Sequence, residues 1–385
     1  MKIAIFTNNY LPNVYGVPMS IETFRKEFEL LGHEVFIFAP NFPGYSDENK
    51  NVFRYPSLDI NIRFRLPLGI PCSRRMDKIL EKLNLDVIHS QHPNLLGSAA
   101  WKWAKKKNIP LIFTWHTLYD QYTNFVPFVP QKFAAHWIIK NAVKYANKAD
   151  AVVVPTPSVV PIIEKWGVRN KIFPVATGVV DKEFENPDGE KIRKKYGVKE
   201  DEILLLIISR ITEEKNVEFV FEVMAEIASK KENVKCMLVG DGYLLPKLKI
   251  FSKQRGLEKK IIFAGLISER NEIKNYYAAG DIFVYASKSE TQGMILTEAM
   301  YAGLPIVAVK APGAENIVES GETGFLTKEG KKDFFKAIAK LVENEKLRKK
   351  SGENAAKIAR EKYASSICAQ KMLKVYRQAM KNQMI

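Results

Sequence analysis

Two acids, Glu290 and Glu298, stand eight positions apart in the stretch Ser289-Glu290-Thr291-Gln292-Gly293-Met294-Ile295-Leu296-Thr297-Glu298. An apolar run from Ile282 to Ala286 precedes them. A periodic apolar segment closed by Gly303 and Pro305 follows, and then a second apolar run, Ile306 to Val309. The pattern is that of a strand, loop, helix and strand. Glu290 then falls in the loop at the strand's carboxyl end and Glu298 about one turn inside the helix, so both can reach one ligand. Gly293 permits close backbone approach, and the amides of Met294 and Ile295 would face an anion at the helix N-terminus. The plain alternative is a loop acid and a solvated helix acid.

Other residues have the same ambiguity. Arg210 and Lys215, in Ser209-Arg210-Ile211-Thr212-Glu213-Glu214-Lys215-Asn216, lie where an apolar strand enters a helix. There a phosphate would meet positive charge and helix amides together. The alternative is a pair of solvated bases beside Glu213 and Glu214. His116 falls just past another strand, with Asp120 close enough in sequence to orient it, or is an ordinary loop histidine. Gly16 follows the first strand and opens a helix, which lets backbone approach a ligand. Gly240-Asp241-Gly242 reads as a tight turn, since a dinucleotide fingerprint would need a third glycine where Leu245 stands. His89, His92 and His116 have no helix-borne ligand spacing and no cysteine nearby, so no metal is expected. A pair of carboxylates also suits a glycosidase. These two, however, come from one element whose helix start attracts an anion, which fits a sugar and its phosphate-bearing carrier better.

Short apolar runs alternate with helical patterns along the whole chain. Strands are predicted at Lys2 to Phe6, Val35 to Ala39, Asp86 to Ser90, Leu111 to Thr114 and Ala151 to Val154. Helices are predicted over Met19 to Leu31, Arg74 to Leu83, Leu95 to Lys107, Phe133 to Asn147 and Ser158 to Trp166. Asn41 to Pro71 and Tyr119 to Pro130 read as irregular. After a linker-like stretch near Val175 to Asp188 the alternation restarts, with strands at Ile203 to Ser209, Lys235 to Val239, Ile261 to Ala264, Ile282 to Ala286 and Ile306 to Val309. The tail is helical over Lys331 to Glu343 and Leu347 to Met380, broken near Ala364. Such alternation predicts an α/β fold of two doubly wound parallel sheets facing across a cleft.

The 385 residues suffice for two cores, and 46% hydrophobic with 26% charged residues is a globular composition. A net charge of +16 favours anionic partners. Nothing resembles a nucleic-acid motif. Three scattered cysteines fit a reduced cytoplasmic compartment. The apolar start is too short for a signal peptide, and no run reaches transmembrane length, so membrane contact would be peripheral. Ile62 to Pro71, with Arg63 and Arg65, followed by Arg74 and Arg75, interleaves bases with apolar residues, as does Trp101-Lys102-Trp103-Ala104-Lys105-Lys106-Lys107. Either could dock on an anionic membrane, or be a packed loop and a solvated helix end.

The chain resembles the retaining glycosyltransferases of family four, which have the two-domain GT-B fold. The resemblance rests on Glu290 and Glu298 with Ala299-Met300-Tyr301-Ala302-Gly303-Leu304-Pro305 after them, on Arg210 and Lys215, on Val239-Gly240-Asp241-Gly242 and on the Gly16 loop. It implies an acceptor-binding domain over 1–177, with a final helix near 366–385 packing back on it, and a donor-binding domain over 178–365. It also implies that Arg210 and Lys215 bind the donor diphosphate and that Glu298 binds the ribose. Glu290 and the amides near Gly293 and Met294 would take the transferred sugar, and backbone near Leu266 and Ile267 the base, with Ile295 also among the donor-binding residues. His116 would lie beside the anomeric centre. No metal or other cofactor is required. Where the family often has two adjacent glycines in its first loop, Tyr15 precedes Gly16 here.

Within the family, Glu290-Thr291-Gln292-Gly293 and Trp115 to Thr123 look most like the enzymes that glucosylate diacylglycerol. The reading that results is transfer of glucose from UDP-glucose to the 3-hydroxyl of diacylglycerol by a peripheral enzyme on the inner face of the cell membrane. Another acceptor (phosphatidylinositol or a soluble sugar), a UDP-sugar 2-epimerase and a non-catalytic nucleotide-sugar binder remain open from sequence alone.

Overall fold

The computed structural model describes every residue except Tyr15, 62–64, 120–130 and 384–385, and omits the side chains of 60–61, 65–66 and 131–134. Arg63 and Asp120 therefore lie outside the described residues. Fifteen strands are present among those described: β1 (Lys2–Phe6), β2 (Glu34–Pro40), β3 (Val52–Tyr55), β4 (Ser57–Asn61), β5 (Arg65–Gly69), β6 (Val87–Ser90), β7 (Leu111–Thr114), β8 (Ala151–Val154), β9 (Ile172–Pro174), β10 (Ile203–Ile208), β11 (Val234–Val239), β12 (Ile261–Gly265), β13 (Ile282–Tyr285), β14 (Ile306–Val309) and β15 (Gly324–Thr327).

The chain divides into two compact units, Met1–Gly178 with Ser365–Ile385, and Val179–Ala364. The first contains a parallel sheet in the order β3-β2-β1-β6-β7-β8-β9, and the second a parallel sheet in the order β12-β11-β10-β13-β14-β15. Both sheets carry buried cores on their two faces, which is why their strands are continuous apolar runs without alternation. In each, strand order reverses beside the unit's first strand: between β1 and β6, and between β10 and β13. Loops leaving the carboxyl ends of such a pair diverge and leave a crevice, the place where doubly wound sheets hold ligands.

Asn41 to Pro71, expected to be irregular, instead holds β3, β4 and β5. β3 pairs in parallel with β2, and β4 with β5 antiparallel, Ser57 opposite Gly69. These strands, VFRY, SLDIN and RLPLG, mix polar with apolar residues, so they lack the continuous apolar run that marks the equally short β7 and β8, and Pro67 sits in a two-stranded pair where a missing donor is tolerated. The edge strands β9 and β15 escaped prediction because they are only partly buried and carry no continuous apolar run.

The last helix, Ser365–Gln383, belongs to the first unit. Its Cys368, Ala369, Met372, Leu373 and Tyr376 are buried in one core with Ile3, Ile5, Phe24 and Phe28, and Phe28 meets the Tyr376 ring edge at 5.7 Å. Where the chain changes units, Val179 donates to the Tyr363 carbonyl at 2.7 Å. The helix is thus part of the core that supports β1. Leu373→Ala, at a fully packed position, is expected to destabilise the first unit by about 2–5 kcal/mol, measured as a shift of its urea unfolding transition.

Candidate functional site

In the second unit, the crevice between β10 and β13 brings together the two loops that the sequence singles out. After β10, the segment Glu213–Lys215 forms a single 3-10 turn that ends at Asn216 in the left-handed region (φ 53). That turn points Lys215 inward, 8% exposed, where its Nζ pairs with the Glu290 carboxylate. The Tyr285 hydroxyl, at the end of β13, donates to the same Glu290 oxygen at 2.9 Å. Burial pushes the Glu290 carboxyl up, but Lys215, Tyr285 and Arg210 outweigh it and hold the group below its ordinary value. Glu290 is therefore an ionised acceptor, 26% exposed. Arg210 is half exposed and paired with Glu214 at 3.0 Å.

Three glycines make this possible. A Cβ on Gly313 would lie 2.6 Å from the Glu290 Cβ, so the carboxylate stem crosses where only glycine fits. Gly240 and Gly242, after β11, have backbone of the Arg210 loop directly against them: added Cβ atoms would stand 1.9 Å from the Ser209 carbonyl and 2.3 Å from the Ile211 carbonyl. Ile211 donates to Asp241 at 2.8 Å and Leu244 to Ile211 at 3.2 Å. The Gly240-Asp241-Gly242 turn is thus a clamp on the neighbouring loop. On the outer side, Asn216 Nδ2 donates to Glu329 at 2.7 Å, and Lys288 donates to the other Glu329 oxygen at 2.7 Å.

Gly293, left-handed at φ 69, begins the helix Met294–Tyr301 and provides no side-chain cap. The helix start presents amides of the kind that attract an anion. Glu298 lies one turn in, 5% exposed. Its carboxylate is engaged by Arg270, and by the Tyr277 hydroxyl at 2.8 Å. Ile267 is half-buried just beyond β12, beside Leu266, which is 57% exposed. The sequence reading missed Tyr285, Gly313, Arg270, Tyr277 and Glu329. Tyr285 alone had a legible signal, since it is the polar-tipped end of an apolar strand.

In the first unit, the carboxyl edge of β1, β6 and β7 carries three histidines. His89 is buried, with Nδ1 bonded to Tyr376 Oη and Nε2 to Thr114 Oγ1, both at 2.6 Å. His92 Nδ1 accepts from the Asn8 amide at 3.1 Å. His116 Nε2 lies 2.6 Å from the Gln91 amide oxygen, so Gln91 is a partner that the sequence did not suggest. Burial lowers His89 to about 3, His92 to about 4 and His116 to about 3. Among the described residues no group of three or more His, Cys, Asp or Glu is arranged to hold a metal ion. A small cavity beside His116 is lined mostly by apolar groups such as Ile5, Phe24 and Met372, with Ser20, Gln91 and Thr177 among its polar members and the Ser20 and Thr177 hydroxyls 2.6 Å apart.

Gly16 (φ 48) precedes the helix Val17–Leu30, and an added Cβ would meet nothing within 4 Å. Its loop is tied down by Arg54, which grips Asp47 through Nε at 2.8 Å and Nη2 at 2.6 Å and donates to the Leu11 carbonyl at 2.8 Å. Arg74 and Arg75 are exposed at the start of the helix Arg74–Lys82. Arg65 lies in β5. Three bases of the Trp101 segment have local partners: Lys106 pairs with Glu81 at 2.9 Å, Lys107 donates to the Leu83 carbonyl at 2.9 Å, and Lys105, like Lys148 from elsewhere, stands over the Trp101 ring. That segment behaves as a solvated helix end.

Two doubly wound sheets in one chain, the second with a buried cation and carboxylates at its switch point, have the architecture of the GT-B glycosyltransferases. Residues 188–358 match the family of glycosyl transferases group 1, and residues 14–183 match glycosyltransferase family 4. The chain is 31% identical over 395 aligned residues to the alpha-monoglucosyldiacylglycerol synthase of Streptococcus pneumoniae, covering 95% of this chain and 86% of that one. It is 28% identical to the alpha-monoglucosyldiacylglycerol synthase of Acholeplasma laidlawii, covering 98% and 96%. Among solved structures it is similar in fold to Anabaena HepE in complex with UDP, with a TM-score of 0.78 and 20% identity, covering 98% of this chain and all of that one. The protein belongs to glycosyltransferase family 4 and is a retaining glycosyltransferase.

The three lowered histidines have a consequence for stability. Unfolded, each takes a proton near pH 6.5; folded, each stays neutral until pH falls to about 4 or 3. Below pH 6.5 the unfolded chain therefore binds more protons, and stability is lost as pH falls, by up to about 1.4 kcal/mol per pH unit for each histidine. The urea midpoint of the first unit is expected to drop between pH 7 and pH 5, and to drop less steeply in His92→Gln.

Proposed function

We propose that this glycosyltransferase moves glucose from UDP-glucose to the 3-hydroxyl of 1,2-diacylglycerol, with retention of configuration, at the cytoplasmic face of the membrane. The observation that carries the reading is Lys215 buried against ionised Glu290 at the second unit's switch point. A sugar there can give its hydroxyl hydrogens to Glu290, while Lys215, Arg210 and the amides at Met294 and Ile295 neutralise the departing diphosphate. In this reading Lys215, Arg210 and the helix amides stand in for a metal at the leaving group, and its phosphate takes the acceptor proton on the same face. Glu298 takes the ribose hydroxyls, and backbone at Ile267 the base. Gly16 leaves room for close approach. His116, lowered to about 3, is neutral at physiological pH; it serves the acceptor as a hydrogen-bonding group and carries no charge of its own. The choice of glucose and of diacylglycerol draws on the similarity to the two synthases, which runs nearly the full length of the chain.

In this reading the membrane contact lies at Arg63, Arg65, Arg74 and Arg75, and for Arg74 and Arg75 a local cost supports it. Two cations at the first positions of Arg74–Lys82 oppose the helix dipole, by about 0.3–1 kcal/mol each, while buried Met76 and Leu80 hold the helix to the core. An anionic lipid surface would offset that cost. Leu58, 61% exposed, and Ile70, 37% exposed, add apolar surface nearby in sequence. Among the described residues no helix is long and apolar enough to cross a membrane.

Purified protein with UDP-glucose should release UDP only when vesicles contain diacylglycerol, and yield an α-glucolipid. UDP release that ignores the lipid would sink the assignment, and a new sugar formed without acceptor would indicate an epimerase. Glu290→Gln is expected to lower transfer by about 100-fold or more while leaving the UDP dissociation constant within a few-fold. Charge reversal at Arg74 and Arg75 should release the protein from anionic vesicles in a flotation assay.

A further inference from the structure

Both oxygens of Glu298 are held by the helix Arg270–Ala279. Arg270 Nη2 donates to Oε1, and Tyr277 Oη donates to Oε2 at 2.8 Å. The two donors are seven residues apart and so share one helix face. The same guanidinium turns Nε to Glu183 at 3.0 Å, on the short turn Asp181–Phe184, whose Phe184 ring packs against Tyr277 at 5.9 Å and Tyr301 at 5.5 Å. Arg270 is thus fixed by two carboxylates from separate segments. Glu298, its side chain 6% exposed, cannot rotate without breaking a bond at each end. A carboxylate accepts at about four lone-pair positions, so two hydrogen bonds to protein leave it able to accept two more. The planar fork of arginine holds the two acids in a fixed relative geometry, which the compact, freely rotating ammonium of lysine does less well.

We propose that Arg270 is a positioning residue for the nucleotide's ribose: it fixes the Glu298 carboxylate in the one orientation that receives the vicinal 2′- and 3′-hydroxyls. The inference rests on reading Glu298 as the ribose contact. Arg270 touches no substrate itself. Its removal therefore weakens only the part of nucleotide affinity that the hydroxyls supply, and leaves the diphosphate and base contributions in place.

The test is calorimetric titration of wild type, Arg270→Ala and Arg270→Lys with UDP and with 2′,3′-dideoxy-UDP. Wild type should prefer UDP by about tenfold to a hundredfold, the scale of hydrogen bonds to a charged group. Arg270→Ala should lose most of that preference while its dideoxy-UDP affinity stays within about twofold, and Arg270→Lys should recover part of it. Equal weakening for both probes, or an undiminished preference for UDP, would overturn the proposal. If wild type itself shows no preference, or does not bind UDP, the ribose reading of Glu298 fails first. Should Arg270→Ala not fold, Arg270→Lys and Glu183→Gln carry the same two-probe comparison.

Discussion

The second unit depends on one ion pair, Lys215 with Glu290 at the switch point between β10 and β13. Taking a cation and a carboxylate out of water is costly, and the cost is recovered only if the geometry is held and the remaining polar atoms have partners. The surroundings meet that demand. Tyr285 donates a second bond, Gly313 makes room for the stem, and Gly240 and Gly242 press the Arg210 loop into place with no Cβ between the backbones. Glu329 steadies the turn from outside through Asn216. What results is an ion pair held in a defined geometry by its surroundings.

The first unit reaches order by another route. Its histidines are desolvated and neutral, and their hydrogen bonds are neutral too: His89 between Tyr376 and Thr114, His116 beside Gln91. The carboxyl edge of β1, β6 and β7 therefore presents hydrogen-bonding groups without charge. One of those bonds comes from the chain's last helix, nearly three hundred residues away in sequence (|i−j| = 287). The tail is accordingly a part of the wall behind His89.

Much of this was legible in the residues. The strongly apolar strands and their alternation with helices fix two doubly wound sheets, because a strand buried on both faces must be apolar throughout. The glycine and acids of the 290–298 stretch mark a loop and helix start, and the resemblance to family-four enzymes is what suggests separate roles for the two acids. The strands β3, β4, β5, β9 and β15 were not legible, since they mix polar with apolar residues or end in proline and so show no continuous apolar run.

The sequence by itself determined which residue types stand at the carboxyl ends of the strands, because that depends only on local periodicity and on where glycine and proline interrupt it. Only the tertiary structure decided which of them meet. That Lys215 turns inward to Glu290 while Arg210, half exposed, pairs with Glu214, that Glu298 is gripped by Arg270 and Tyr277, and that His116 lies against Gln91 all follow from strand order. The neighbours of β10 are β11 and β13, and those of β6 are β1 and β7. Side chains that touch across adjacent strands are separated by tens of residues in the chain, so no local pattern encodes their contact.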